Sequence, residues 1–189
     1  MEKSRLAIFA SSNGSNAEAI MDYFQDHPRI EVAALVSNNA DAFVIERAKK
    51  FQVPSKVFDK NQFSECEEVI KWLNENKISH IVLAGFLLLI PEKLISAFPN
   101  RIINIHPALL PKYGGKGMYG MKVHEAVIAA REKETGITIH LVNAHYDEGK
   151  ILAQFKCSVL PTDDAKAVAE KVLQLEHEHY PRIVEKWCA

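Results

Sequence analysis

The chain has 189 residues, 48% of them hydrophobic, which suits a single domain with a sizeable buried core. Its 23 basic residues nearly balance 24 acidic ones, so no overall field draws in nucleic acid or an anionic membrane. Cys66, Cys157 and Cys188 are odd in number, widely separated and without CxxC spacing. They suggest neither a disulfide framework nor a zinc site, and fit a reducing cytoplasm.

Lys3 and Arg5 before "LAIFA" superficially resemble a signal peptide, but the apolar run is too short and polar "SSNGSN" follows, so no export is expected. Along the chain, short β-branched or apolar runs alternate with helical patterns. The predicted order is "RLAIFAS", a helix over 15–26, "IEVAALVS", a helix over 42–51, "VPSKVF", a helix over 62–76, "HIVLAG", a short helix near 92–98, and "RIINI". Such alternation implies parallel βαβ units, and near-continuous apolar strands imply a sheet covered on both faces. The longest apolar run, Ile81 to Ile90, is about half a membrane span and reads as a buried strand and its exit. A glycine-rich loop at 113–120 and a helix near 121–131 come next. "GITIHLVNA" and "KILAQFKCSVL" then flank a "HYDEG" turn as a hairpin. The last helix starts at "PTDDAKA", with Thr162 as the expected N-cap. The expectation is one α/β domain over 1–189, Rossmann-like, with a mostly parallel twisted sheet.

Three places carry chemistry. In "SNGSNAEAI", Ser15 and Glu18 have capping-box spacing, Gly14 sits in the turn, and a helix N-terminus after a strand favours an anion such as phosphate. Alone, these residues are explained as well or better by an ordinary capped turn. Neither a P-loop nor a dinucleotide fingerprint is present. In "RIINIHPALLP", Asn104 and His106 leave an apolar strand on one face, where an amide can donate to an oxyanion and an imidazole can move a proton. Asp147 in the "HYDEG" turn would raise and orient that imidazole if brought beside it, although spacing alone leaves it an exposed turn aspartate. No nucleophile elbow is present, which disfavours a covalent serine mechanism. His177 and His179 lie at i, i+2 and do not share a helix face, so no metal is expected.

Together "SSNGSNAEAI", "VSNNADAFVIERAKK", "VLAGFLLLIP", "NIHPALLPKYGG", "GITIHLVNAHYDEGKILAQ" and "LEHEHYP" resemble the phosphoribosylglycinamide formyltransferases, a branch of the folate-dependent formyltransferase group. The resemblance spans nearly the whole chain. It leaves no room for the further C-terminal tRNA-binding or N-terminal regulatory domains of other branches.

The resemblance implies a formyltransferase fold and direct transfer from 10-formyltetrahydrofolate to 5-phosphoribosylglycinamide in purine synthesis. Gly14, Ser15 and Asn16 would bind the phosphoribosyl substrate, and Glu176 its amine. Asn104 and His106 would stabilise the oxyanion, with His106 as proton donor and Asp147 raising its pKa. Leu87, Leu88, Leu89 and Ile90, with Asn143, Ala144, His145 and Asp147, would hold the folate pterin largely through backbone groups, Asn104 also contacting it. Where the family often has a Met-Arg pair after "AGF", this chain has Leu87 and Leu88, and Lys60 is the substitute for a second missing arginine. Lys116 in the longer glycine-rich loop reads either as a contact to phosphate or the folate tail, or as solvated. His124 and His140 read as packing or site lining. No nucleic acid, membrane or metal partner is implied, and monomer and homodimer both remain open. Two rivals also stay open: a formyltetrahydrofolate hydrolase and a non-catalytic phosphometabolite-binding module.

Overall fold

A computed structural model describes residues 3–189 of the chain. The first apolar run forms β1 (Ser4–Phe9), and helix α1 (Ser15–Phe24) follows it directly. Next come β2 (Ile30–Ser37), α2 (Val44–Lys50), β3 (Ser55–Val57), α3 (Lys60–Glu65), α4 (Glu67–Glu75) and β4 (His80–Leu83). The chain continues through α5 (Glu92–Ala97), β5 (Ile102–His106), α6 (Met121–Ala129), β6 (Glu134–Leu141), β7 (Ile151–Ser158) and α7 (Ala165–Trp187).

The strands form one sheet in the order β3-β2-β1-β4-β5-β6-β7. Pairing is parallel from β3 through β5 and antiparallel for β6 and β7, which make the expected hairpin. The fold is thus the predicted mostly parallel α/β sheet. The chain winds outward from β1 through β2 to β3, then crosses back to place β4 on the other side of β1. Strand order therefore reverses between β1 and β4, and a crevice opens beyond the carboxyl ends there.

Both faces are covered because consecutive strand residues point to opposite sides. In β1, Leu6 and Ile8 enter a core with α1 and α7, while Ala7 and Phe9 enter a second with Phe63, Val69, Leu73 and Leu94 of α3 to α5. Along α7, Val168, Val172, Glu176, Tyr180 and Val184 recur every four residues and are all buried. The Tyr180 hydroxyl donates to the Leu83 carbonyl at 2.8 Å, pinning this helix to the end of β4. Among the described residues, no helix is long and apolar enough to cross a membrane.

Three local expectations are corrected. Ser15 does not cap α1: Gly14 is the N-cap in the left-handed region, φ 74°, and no side-chain capping bond forms. The Glu18 carboxylate that a capping box would fold back is drawn to Arg47 instead. The helix predicted over 62–76 breaks into α3 and α4 at Cys66, whose φ is 68°. Asp59 and Gln62 supply a complete capping box that starts α3 earlier than the apolar pattern indicates. For α7 the cap is Asp164 and not Thr162, the Asp164 carboxylate accepting from the Ala167 N–H at 2.8 Å.

Candidate active site

A cleft of about 900 Å³ opens at the strand-order reversal, lined by residues following β1 and β4, by the end of β5, by the glycine-rich loop 115–120 and the start of α6, and by one face of α7. Two groups of polar side chains face it from different elements.

The first group is built by strand pairing. The period-2 geometry of β5 puts Asn104 and His106 on one face. Antiparallel pairing with β6 sets His140 opposite Asn104, and the hairpin turn returns Asp147 to the same place. Gly149 permits that return, since a Cβ there would meet the Leu141 carbonyl oxygen at 1.6 Å. Asp147 Oδ2 lies 3.5 Å from His106 Nδ1 and accepts from the Gly115 N–H at 2.9 Å. Its Oδ1 lies 3.6 Å from His140 Nε2 and 3.5 Å from Asn104 Nδ2. His106 Nε2 donates to the Tyr113 carbonyl at 2.7 Å. With that proton fixed, the other ring nitrogen faces the carboxylate, a geometry that suits imidazolium.

Burial nevertheless holds His106 below its ordinary pKa, outweighing the Asp147 charge and the Tyr113 carbonyl, both of which favour protonation. Asp147 thus acts on His106 in the expected direction, while the net shift is downward. For Asp147 itself burial pushes upward, but His140, the His106 charge and the Gly115 N–H together hold the carboxyl below its usual range. An ionised carboxylate beside a buried imidazole whose pKa is held down is a proton-handling pair.

The second group lies on the α1 and α7 wall. Asn16 Nδ2 donates to Glu176 Oε2 at 2.9 Å, and Asn16 Oδ1 is buried without a partner. Burial pushes the Glu176 carboxyl up to about 7, more than the Asn16 bond lowers it. Before Asn16, the turn depends on Gly14: a Cβ there would meet Val44 Cγ2 at 2.1 Å, and its φ is left-handed. His124 also lines the cleft, with a buried Nδ1 lacking a partner and a pKa lowered by burial.

The structure therefore gathers Asn104, His106, Asp147, Asn16, Glu176 and Leu87 around one cleft. Gly14 and Ser15 form the turn and open α1, while Asn13 beside them reaches the lining. Leu88 is half-buried against the second core, Leu89 is exposed and Ile90 is buried in that core. Asn143, Ala144 and His145 form the turn ahead of Asp147 without lining the cleft, whereas Tyr146 does line it. Lys60 starts α3 on an exposed surface outside the lining and is not brought to the site. Lys116 lines the cleft.

Sequence reasoning missed His140 as a member of the Asn104 and Asp147 group. The signal was available: in "GITIHLV" it lies two residues from Thr138 on one strand face, and hairpin register sets it opposite Asn104. None of the three cysteines is an activated nucleophile, since burial pushes Cys66 up to about 11, Cys188 up to about 12, and Cys157 upward as well.

Known proteins share this fold and much of this sequence. The formyl transferase family profile matches residues 4–184. A relative from Arabidopsis thaliana, the chloroplastic phosphoribosylglycinamide formyltransferase, is 40% identical over 98% of the chain. The chain spans less than two thirds of the plant relatives it matches, 66% of the Arabidopsis thaliana protein and 62% of that from Vigna unguiculata. The phosphoribosylglycinamide formyltransferase of Bacillus subtilis is 34% identical, with 96% of this chain and 93% of the relative covered. The crystal structure of glycinamide ribonucleotide transformylase 1 from Geobacillus kaustophilus superposes with a TM-score of 0.91 at 35% identity, covering 100% of both chains. By the profile match and by these relatives, the chain belongs to the formyl transferase family.

Proposed function

We propose that this protein transfers the formyl group of 10-formyltetrahydrofolate to the amine of 5-phosphoribosylglycinamide, giving the formylated glycinamide and tetrahydrofolate. The observation that carries the reading is the meeting of Asn104, His106 and Asp147 in one cleft, with Glu176 on another wall of it. The names of the bacterial relatives, matched over 86% and 93% of their own length, support phosphoribosylglycinamide as the formyl acceptor.

In this reading the phosphate rests at the Asn13 to Asn16 turn, where unpaired N–H groups and the α1 dipole favour an anion. Glu176 and the unpaired Asn16 Oδ1 receive the N–H groups of the glycinamide amine. The pterin lies against Leu87, Tyr146 and Asp147, the members of segments 87–90 and 143–147 that line the cleft. The amine attacks the formyl carbon, and the Asn104 amide holds the oxyanion that forms, joined by the His106 Nε2–H as it turns from the Tyr113 carbonyl. Collapse of the tetrahedral intermediate breaks the bond from carbon to N10. The proton lost by the amine balances the one gained by N10, and the His106 and Asp147 pair moves it, assisted by water. No protein nucleophile takes part, so orientation of the two substrates contributes much of the acceleration.

The test is an assay of purified protein with 10-formyltetrahydrofolate, with and without 5-phosphoribosylglycinamide, following tetrahydrofolate and formylated product together. Product formed only with both substrates is expected. Tetrahydrofolate released without the glycinamide would identify a hydrolase, and no turnover would favour a binding module.

A further inference from the structure

The stretch "VSNNADAFVIERAKK" contains an arginine to which neither the chemistry above nor the sequence reading gives a task. Arg47 projects from α2 across to the turn that follows β1. Its Nε donates to the Asn13 carbonyl at 2.9 Å and its Nη2 to Asn13 Oδ1 at 2.8 Å. Its remaining arm pairs with Glu18 in the first turn of α1. The guanidinium also lies over the Phe43 ring, 5.0 Å from its centroid, and its side chain is only 17% exposed. The same helix braces the turn twice more, since the Val44 N–H donates to the Ser12 carbonyl at 3.1 Å and the Val44 side chain packs where a Gly14 Cβ would stand.

We propose that Arg47 is a positioning residue for the phosphate of the substrate: its planar fork fixes Asn13 at the cleft and cancels the Glu18 charge beneath the anion-binding turn. This inference rests on the proposed function above. Two physical effects combine here. A bidentate guanidinium fixes both the backbone and the side chain of one residue, which a lysine cannot reproduce. Glu18 favours the helix dipole but repels a phosphate arriving at the same terminus, and the paired arginine removes that repulsion without becoming a ligand itself.

The experiment measures KM for both substrates and kcat in Arg47→Met, Arg47→Lys, Glu18→Gln and the double variant Arg47→Met/Glu18→Gln. Arg47→Met should raise KM for 5-phosphoribosylglycinamide about 10- to 100-fold, while KM for the folate changes less than about twofold. Arg47→Lys should fall between, because it keeps the charge and loses the fork. Glu18→Gln should recover several-fold of the lost affinity in the Arg47→Met background and change little alone. A merely structural arginine would impair both substrates and kcat together and would not be rescued by removing Glu18. That pattern, or an unchanged KM in folded Arg47→Met, would overturn the proposal. Titration with inorganic phosphate gives a readout independent of turnover. If the wild type shows no formyl transfer, the functional reading fails. Weaker phosphate binding in Arg47→Met, restored by Glu18→Gln, would still support the role of Arg47, and equal binding in all four variants would overturn it.

Discussion

Asp147 and Glu176 are two carboxylates that line the same cleft, Glu176 the more deeply buried, and their environments push them in opposite directions. Asp147 sits where strand pairing and a tight turn gather two imidazoles, an amide and a backbone N–H, and it is held ionised. Glu176 sits on a helix face among apolar side chains with one neutral amide, and burial lifts it to about 7. Burial pushes both carboxyls upward, and more strongly at Glu176. Only Asp147 has enough charged and N–H partners to reverse that push, and such separated pKa values suit two carboxyls to different tasks.

The largest effect is expected on the Asp147 side. Asp147→Asn keeps the shape and removes the charge that favours imidazolium, so kcat should fall by about 10²- to 10⁴-fold with the fold retained. Steady-state kinetics beside a circular dichroism spectrum check this, and near-normal turnover in the folded variant would remove Asp147 from the mechanism.

A smaller effect, on stability, is expected on the Glu176 side. The folded pKa is about 7 and the unfolded one about 4.5, so as pH rises across that window the unfolded chain ionises first and folding is progressively disfavoured. Relative to Glu176→Gln, the wild type should lose on the order of 3 kcal/mol between these limits, with no further loss above the window. Asp147 has the opposite sign: its lowered pKa stabilises the fold at neutral pH, and that contribution is lost as pH falls through and below the carboxylate range. Denaturant midpoints of the two variants across pH separate these signs, and parallel wild-type and Glu176→Gln profiles would show that the Glu176 environment is not as described.

Legibility in the sequence followed the same division. Strand alternation, the antiparallel hairpin and the pairing of Asn104 with His106 were readable because they rest on a period of two over contiguous residues. That Asp147 meets them required a register, which the "HYDEG" turn suggests and only the folded hairpin fixes. Helix starts were read less well. Ser15 and Thr162 carry suitable hydroxyls, but Gly14 holds the first cap position while Arg47 draws Glu18 away, and Asp164 holds the second through its own local bond from the Ala167 N–H. The break at Cys66 left no glycine or proline in the sequence to mark it. Lys60 was expected near the folate from motif position alone, and the fold turns it outward.

The most direct measurement is a single turnover with 10-formyltetrahydrofolate carrying ¹⁸O in its formyl group, in unlabelled water, with mass analysis of the formylated product. In the proposed reaction the amine attacks directly and the formyl oxygen stays on its carbon through the oxyanion assigned to Asn104 and His106, so the product should retain the label in full. Loss of the label to solvent, or release of free formate ahead of product, would contradict direct transfer.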